Sequence, residues 1–143
     1  MSLCKLCGEE RPLVEAHIIP ESMYPFDEPR EPLLMVPSTP DIYPGRSRRG
    51  VYDRELVCGR CEAKFSPWDD YAYRLLSKEP GEHDYTYVDG EPRVYTVTRY
   101  DYAKLKLFFV SLLWRASESN QSFFAHVSVG PVYTLSLHDA LPI

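Results

Sequence analysis

The chain carries four cysteines, and they fall into two identical spacings, Cys4-Lys5-Leu6-Cys7 and Cys58-Gly59-Arg60-Cys61. A two-residue gap lets both sulfurs of a pair reach one ion from a single tight turn. Two such pairs are the ligand pattern of a structural zinc site. Gly8 follows the first pair, where a turn needs a residue free of Cβ constraint. Four thiolates around Zn²⁺ close the coordination sphere, so the ion would hold structure and do no chemistry itself. Disulfides would need an oxidising compartment, and a redox C-x-x-C needs only one pair in a thioredoxin-like setting. Zinc at Cys4, Cys7, Cys58 and Cys61 is therefore the expectation.

Fifty residues separate the pairs, so something must be built between them. LVEAHII at 13–19 has the alternation of a strand and ends at Pro20; VYDRELV at 51–57 is a second strand candidate running into Cys58. After Cys61, Ser66 as N-cap, Pro67 as first helical residue and Asp69 at the third position predict a helix running to about Ser77. The order is knuckle, strand, long loop, strand, knuckle, helix, the plan of a treble-clef zinc domain. The fold class expected is α+β. Prolines concentrate in residues 12–44, which predicts irregular chain there. Arg46, Arg48, Arg49, Arg54 and Arg60 then form a local basic excess, opposed by Asp53 and Glu55. It is read either as a solvated loop or as an edge facing phosphates.

The strings CKLCG, AHIIP and LVCGRCE resemble the HNH endonuclease family in its four-cysteine form. More narrowly, they are similar to a bacterial branch of HNH-like proteins that also carries an S-x-L-W-R string, here Ser111-Leu112-Leu113-Trp114-Arg115. The resemblance covers most of residues 1–117. It implies a metal-dependent endonuclease hydrolysing DNA phosphodiesters with His17 as general base. It places Asp53 where the family orients that base, and Glu62 where the family's last histidine binds a catalytic ion. Ala16 stands where the family has an Asp or His ligand, so the match is incomplete.

The residues themselves allow such chemistry. A carboxylate such as Glu62 is a good hard ligand for Mg²⁺ or Mn²⁺. Asp53 could orient an imidazole or bind the ion itself. Glu15 lies two residues from His17, on the same side of a regular strand. Arg46, Arg48 and Arg49 would meet the phosphates. The blander alternatives are equally concrete. Glu62 serves the helix dipole, Asp53 and Glu15 are ordinary strand residues, and His17 hydrogen-bonds the long loop. The competing function is a catalytically degenerate zinc module binding nucleic acid or protein; a zinc ribbon within a larger enzyme is a third.

Pro80-Gly81 breaks the chain after the zinc helix. Segments 84–88 and 93–98 alternate around Asp89-Gly90 and predict a hairpin whose tyrosines pack across the strands. His83 is expected to be solvated beside Asp84. Residues 101–117 read as a helix capped by Asp101, with Leu105, Phe108, Phe109, Leu112 and Leu113 as its apolar face. Leu107, Val110 and Trp114 widen that face beyond what a small hairpin covers. The segment TLSLHDALPI at 134–143 is similar to an in-frame translation of a common short-read sequencing adaptor. On that reading Tyr133 and the following residues are non-native, His138 and Asp139 leave any functional argument, and the protein is truncated. The organisation expected is a zinc-binding HNH-like domain at 1–79, a hairpin and helix at 80–132, and a non-native tail at 133–143. Net charge is −5, which argues against a coat of basic charge. No apolar run of about 18 residues or secretory h-region is present, so no membrane partner and a cytoplasmic setting are expected.

Overall fold

The computed structural model describes residues 1–24, 31–36, 43–78, 85–97, 99–121 and 124. It is an α+β arrangement of four two-stranded antiparallel sheets and two helices among the described residues. Strands β1 (Ser2–Leu3) and β2 (Glu10–Arg11) form a hairpin around the first cysteine pair. Strand β3 (Ala16–His17) pairs with β6 (Tyr52–Asp53), and β4 (Leu33–Met35) pairs with β5 (Gly45–Ser47). Helix α1 (Gly59–Tyr73) carries the second pair and runs into a π-helical turn at Arg74–Lys78. The hairpin β7 (Tyr85–Val88) and β8 (Glu91–Tyr95) precedes helix α2 (Tyr102–Glu118).

The two expected strands 13–19 and 51–57 meet as expected, but regular ladder survives over only two residues of each. Antiparallel contact continues on both sides, through a Leu13–Cys58 bridge, Val14 N–H to Val57 O at 3.0 Å and Ile18 N–H to Val51 O at 3.0 Å. One turn of this ribbon depends on a residue without a side chain. Gly50 has φ +80°, and a Cβ there would lie 2.1 Å from Cε2 of Tyr24. The Tyr24 hydroxyl accepts from Val51 N–H at 2.9 Å, so the ring is pinned where it would clash.

Helix α1 starts earlier than the Ser66-Pro67 signal predicts. Cys58 is its N-cap, its carbonyl accepts the amides of Cys61 and Glu62 at 2.9 Å each, and Pro67 sits inside the helix. Proline interrupts one backbone hydrogen bond wherever it falls in a helix interior. Here it lies on the exposed side, and the cysteine turn rather than the cap chemistry of Ser66 sets the start. The Asp89-Gly90 turn is as expected: both residues have positive φ, +53° and +80°, which suits a tight two-residue hairpin. Helix α2 also begins at its expected cap, with Asp101 accepting from Lys104 N–H at 3.1 Å.

The face that α2 buries differs from the one expected. Leu107, Phe108, Ser111, Arg115 and Ala116 point inward, while Phe109 and Leu113 are about half exposed. The reason is Arg115, fully buried, whose guanidinium forms a two-pronged pair with Asp69 of α1 at 2.8 and 2.9 Å. It also donates to the carbonyl of His17 at 3.0 Å and lies 4.9 Å from the Phe65 ring centre. Removing an arginine's charge from water is costly unless every donor is placed, so α2 rotates to bring this residue in. The core then runs from Ile18, Val51, Leu56 and Val57 through the cysteines to Phe65 and Ala116, with Trp68 and Trp114 packed against it. His83, Pro80, Gly81 and the whole of 133–143 lie outside the described residues. No helix among the described residues is long and apolar enough to cross a membrane.

Gly50→Ala is expected to destabilise the fold by more than about 2 kcal/mol, since positive φ alone costs roughly 1–2 kcal/mol and the ring contact adds to it. Urea denaturation of the two chains measures this; a change below about 0.5 kcal/mol would show that Tyr24 yields freely.

Candidate metal centre and the neighbouring cleft

The two cysteine turns are brought together by main-chain bonds on either side of the sulfurs. Gly8 N–H returns to Cys4 O at 2.9 Å, Cys4 N–H reaches Glu9 O at 3.0 Å, and Lys5 N–H reaches Leu56 O at 3.0 Å. The ligand atoms of Cys4, Cys7, Cys58 and Cys61 all lie within 4.8 Å of one another. A tetrahedron of sulfurs about 2.3 Å from a central ion has edges of about 3.8 Å, so this set fits a metal ion with little adjustment. None of the four is in a disulfide; Cys7 is exposed and the others are buried.

Electrostatics give the same answer. Burial opposes ionisation of Cys4, yet hydrogen bonds from the amides of Cys7, Cys58 and Leu6 bring its thiol down to about 6. Cys58 N–H stands 3.3 Å from its sulfur. Cys61 is driven the other way, well above the ordinary thiol range, by burial and by the three neighbouring sulfurs. Without a cation, Cys4 and Cys61 are thus pulled in opposite directions. A divalent ion at the centre would let all four ionise.

The residues expected to hold a second, catalytic ion do not assemble. Asp53 is almost fully buried and sits opposite Ala16, whereas His17 sits opposite Tyr52, so Asp53 and His17 face opposite sides of the ribbon. One Asp53 oxygen accepts Glu55 N–H at 2.7 Å; the other accepts Asn120 N–H at 2.9 Å and the Ser119 hydroxyl at 3.0 Å. Burial would raise its pKa, but these donors hold the carboxyl below its usual range. Asp53 thus anchors the end of α2 and does not orient His17. Glu15 is taken by arginines: Arg49 at 2.7 Å on one oxygen and Arg54 on the other, chiefly the latter lowering its pKa. His17 Nε2 contacts the carbonyl of Arg49 at 3.0 Å and lies 3.8 Å from Glu21. The blander expectation for His17, a bond to the long loop, describes that contact.

Glu62 does lie beside His17, in a cleft also lined by Glu21, Asp69 and Asp70. Its Oε2 is buried without a hydrogen-bond partner among the described residues. Burial pushes Glu62 up to about 6; the Arg115 charge and the His17 amide pull down and Asp69 pushes up. Asp69 is likewise raised by burial, against the pull of Arg115. One unpartnered oxygen is not an ion site. Among the described residues, the four cysteines are the only group of three or more His, Cys, Asp or Glu able to hold a metal together. Glu15, Asp53 and Glu62 with His17 therefore do not fit Mg²⁺ or Mn²⁺ as one site.

Asp69, Ser119 and Asn120 were not legible as partners of these groups. Arg115 gave one signal, a lone charge within the apolar run SLLWRA. Arg46, Arg48 and Arg49 are all exposed, and Arg49 alone of them has a described ion pair. No family model, curated protein or solved structure matches the chain.

Two outcomes follow. Cys58→Ala is expected to abolish stoichiometric metal uptake and lower the melting temperature, measured by elemental analysis and circular dichroism on the full chain. Full metal content in that variant would remove Cys58 from the ligand set. For Glu62, a folded-state pKa of about 6 lies above the ordinary 4.5. Its contribution is thus most favourable below the ordinary value and declines as pH rises through about 6. Glu62→Gln should gain stability relative to wild type between pH 5 and pH 7.5; a constant difference across that range would contradict the assigned burial.

Proposed function

We propose that this chain is a zinc-stapled, HNH-like treble-clef module that binds nucleic acid and lacks an assembled hydrolytic ion site. Zn²⁺ suits a closed set of four thiolates in tetrahedral spacing, and Cys4, Cys7, Cys58 and Cys61 would hold it. The ion would supply folding free energy and no reactivity. The treble-clef assignment is supported by the order of parts: a knuckle inside the β1–β2 hairpin, the β3–β6 ribbon, and a second knuckle opening α1.

The observation carrying the binding reading is how the charges are used. Glu15 is neutralised by Arg49 and Arg54, and Asp53 is fully hydrogen-bonded. Arg46 and Arg48 remain exposed, with no ion pair among the described residues. Exposed guanidinium groups on β5 and just after it are suited to phosphate oxygens.

The test is fluorescence anisotropy of the full chain with labelled oligonucleotides across a salt series. Arg48→Ala should weaken binding and reduce the slope of log K against log salt by about 0.7–0.9. Absence of binding at low salt, or binding indifferent to salt, would defeat the proposal. A hydrolytic reading has its own support in the unpartnered Glu62 oxygen within the cleft that His17 lines. Supercoiled-plasmid nicking that requires added Mg²⁺ or Mn²⁺ and disappears in His17→Ala would favour it. Equal inertness of both chains with zinc bound favours the module.

A further inference from the structure

A groove of about 600 Å³ opens between β5, β6 and the segment after α2. That volume is in the range of small-ligand sites, roughly 300–1,000 Å³. Its lining combines two tyrosines, Tyr43 and Tyr52, with the guanidinium groups of Arg46 and Arg54 and the amides of Asn120 and Gln121, beside the carboxylates of Asp53 and Glu55. Tyr52 is already engaged, with the Arg54 guanidinium 5.6 Å from its ring centre and the His17 ring 6.1 Å away. Tyr43 is 93% exposed, and its ring has no aromatic or cationic partner among the described residues. The Gln121 side chain and Arg46 are likewise unpartnered among the described residues, and the Asn120 side chain is held by long bonds alone, donating to Glu55 at 3.3 Å and accepting from Lys5 at 3.5 Å.

The charge around this groove discriminates between forms of nucleic acid. Arg46, Arg48, Arg49 and Arg54 face Glu15, Asp53 and Glu55, and two of those arginines are spent on Glu15. The surplus is small and the chain as a whole is acidic. Duplex binding without base readout depends on many neutralised phosphates, which this surface does not offer. A free ring adds an attraction that duplex cannot use, because its base faces are already stacked on one another. Unpaired bases present those faces, and amides beside the ring can meet their polar edges.

We propose that this groove seats an unpaired stretch of nucleic acid, one base stacked on Tyr43 with the adjoining phosphate at Arg46 and base-edge contacts to Gln121 and Asn120. This rests on the nucleic-acid reading above and narrows it. Arg48 lies outside the groove lining and reports on the basic edge alone.

The experiment is anisotropy of the full, zinc-loaded chain with labelled oligo-dT, oligo-U and a duplex of equal length, at one low salt concentration. Wild type, Tyr43→Ala, Tyr43→Phe and Arg48→Ala are compared, with zinc content and melting temperature checked for each. Stacking of one base contributes about 1–3 kcal/mol, which corresponds to at least about a fivefold loss of affinity. Tyr43→Ala should therefore weaken single-strand binding by about fivefold or more, Tyr43→Phe should stay within about twofold of wild type, and duplex should bind more weakly than at least one of the single strands. Duplex binding equal to single-strand binding, with Tyr43→Ala unchanged, overturns the groove while the Arg48 effect leaves the basic edge standing. No binding of any oligonucleotide overturns both.

Discussion

Four sulfurs held within 4.8 Å of one another repel as thiolates and compete for protons as thiols unless a cation sits among them. The fold around them is organised by that constraint. Two of the four come from a hairpin near the start of the chain, and two from a turn that becomes the first turn of α1. Joining them ties the β1–β2 hairpin to the helix across a separation of 54 residues. The small sheets have few ladder bonds of their own, and two-stranded sheets are marginal in water. A metal at this point would contribute what the modest core does not, as is usual in small metal-bound domains.

A second anchor works by charge burial. Arg115 brings α2 onto α1 through Asp69 and reaches past it to the carbonyl of His17. The two helices and β3 thus share one guanidinium. Such a pair adds little net stability over a well-packed apolar contact, but it tolerates few alternative docking angles, because a slipped helix would leave a buried charge alone. The same helix end is fixed again by Asp53, whose carboxylate receives Asn120 and Ser119, and by Lys5, which bonds the carbonyl of Glu118.

These anchors shape what the surface can do. Carboxylates that could have served the expected base are consumed by structure: Asp53 on the far side of the ribbon by two amides and the Ser119 hydroxyl, Glu15 by arginines, Asp69 by Arg115. What remains uncommitted among the described residues is of the opposite character, exposed Arg46 and Arg48 and the open ring of Tyr43. Glu62 is the exception, a raised carboxyl with a bare oxygen next to His17, and it is the point at which hydrolysis and binding readings part.

The metal-ligand set was legible because it is local: two residues between paired cysteines decide whether both sulfurs reach one ion, and no distant partner alters that. The Asp101 cap and the Asp89-Gly90 turn were legible for the same reason. Helix α1 begins eight residues before the Ser66 signal, because cap chemistry is a weak preference beside a cysteine turn that fixes the chain at Cys58. Tertiary structure alone decided the fate of the carboxylates and of Arg115. Asp53 meets Ser119 and Asn120 across 66 and 67 residues, Glu15 meets Arg54 across 39, and Arg115 meets Asp69 across 46. A charged side chain's role is set by whichever opposite charge or amide folding brings within about 3 Å, and no spacing rule in the sequence encodes that distance.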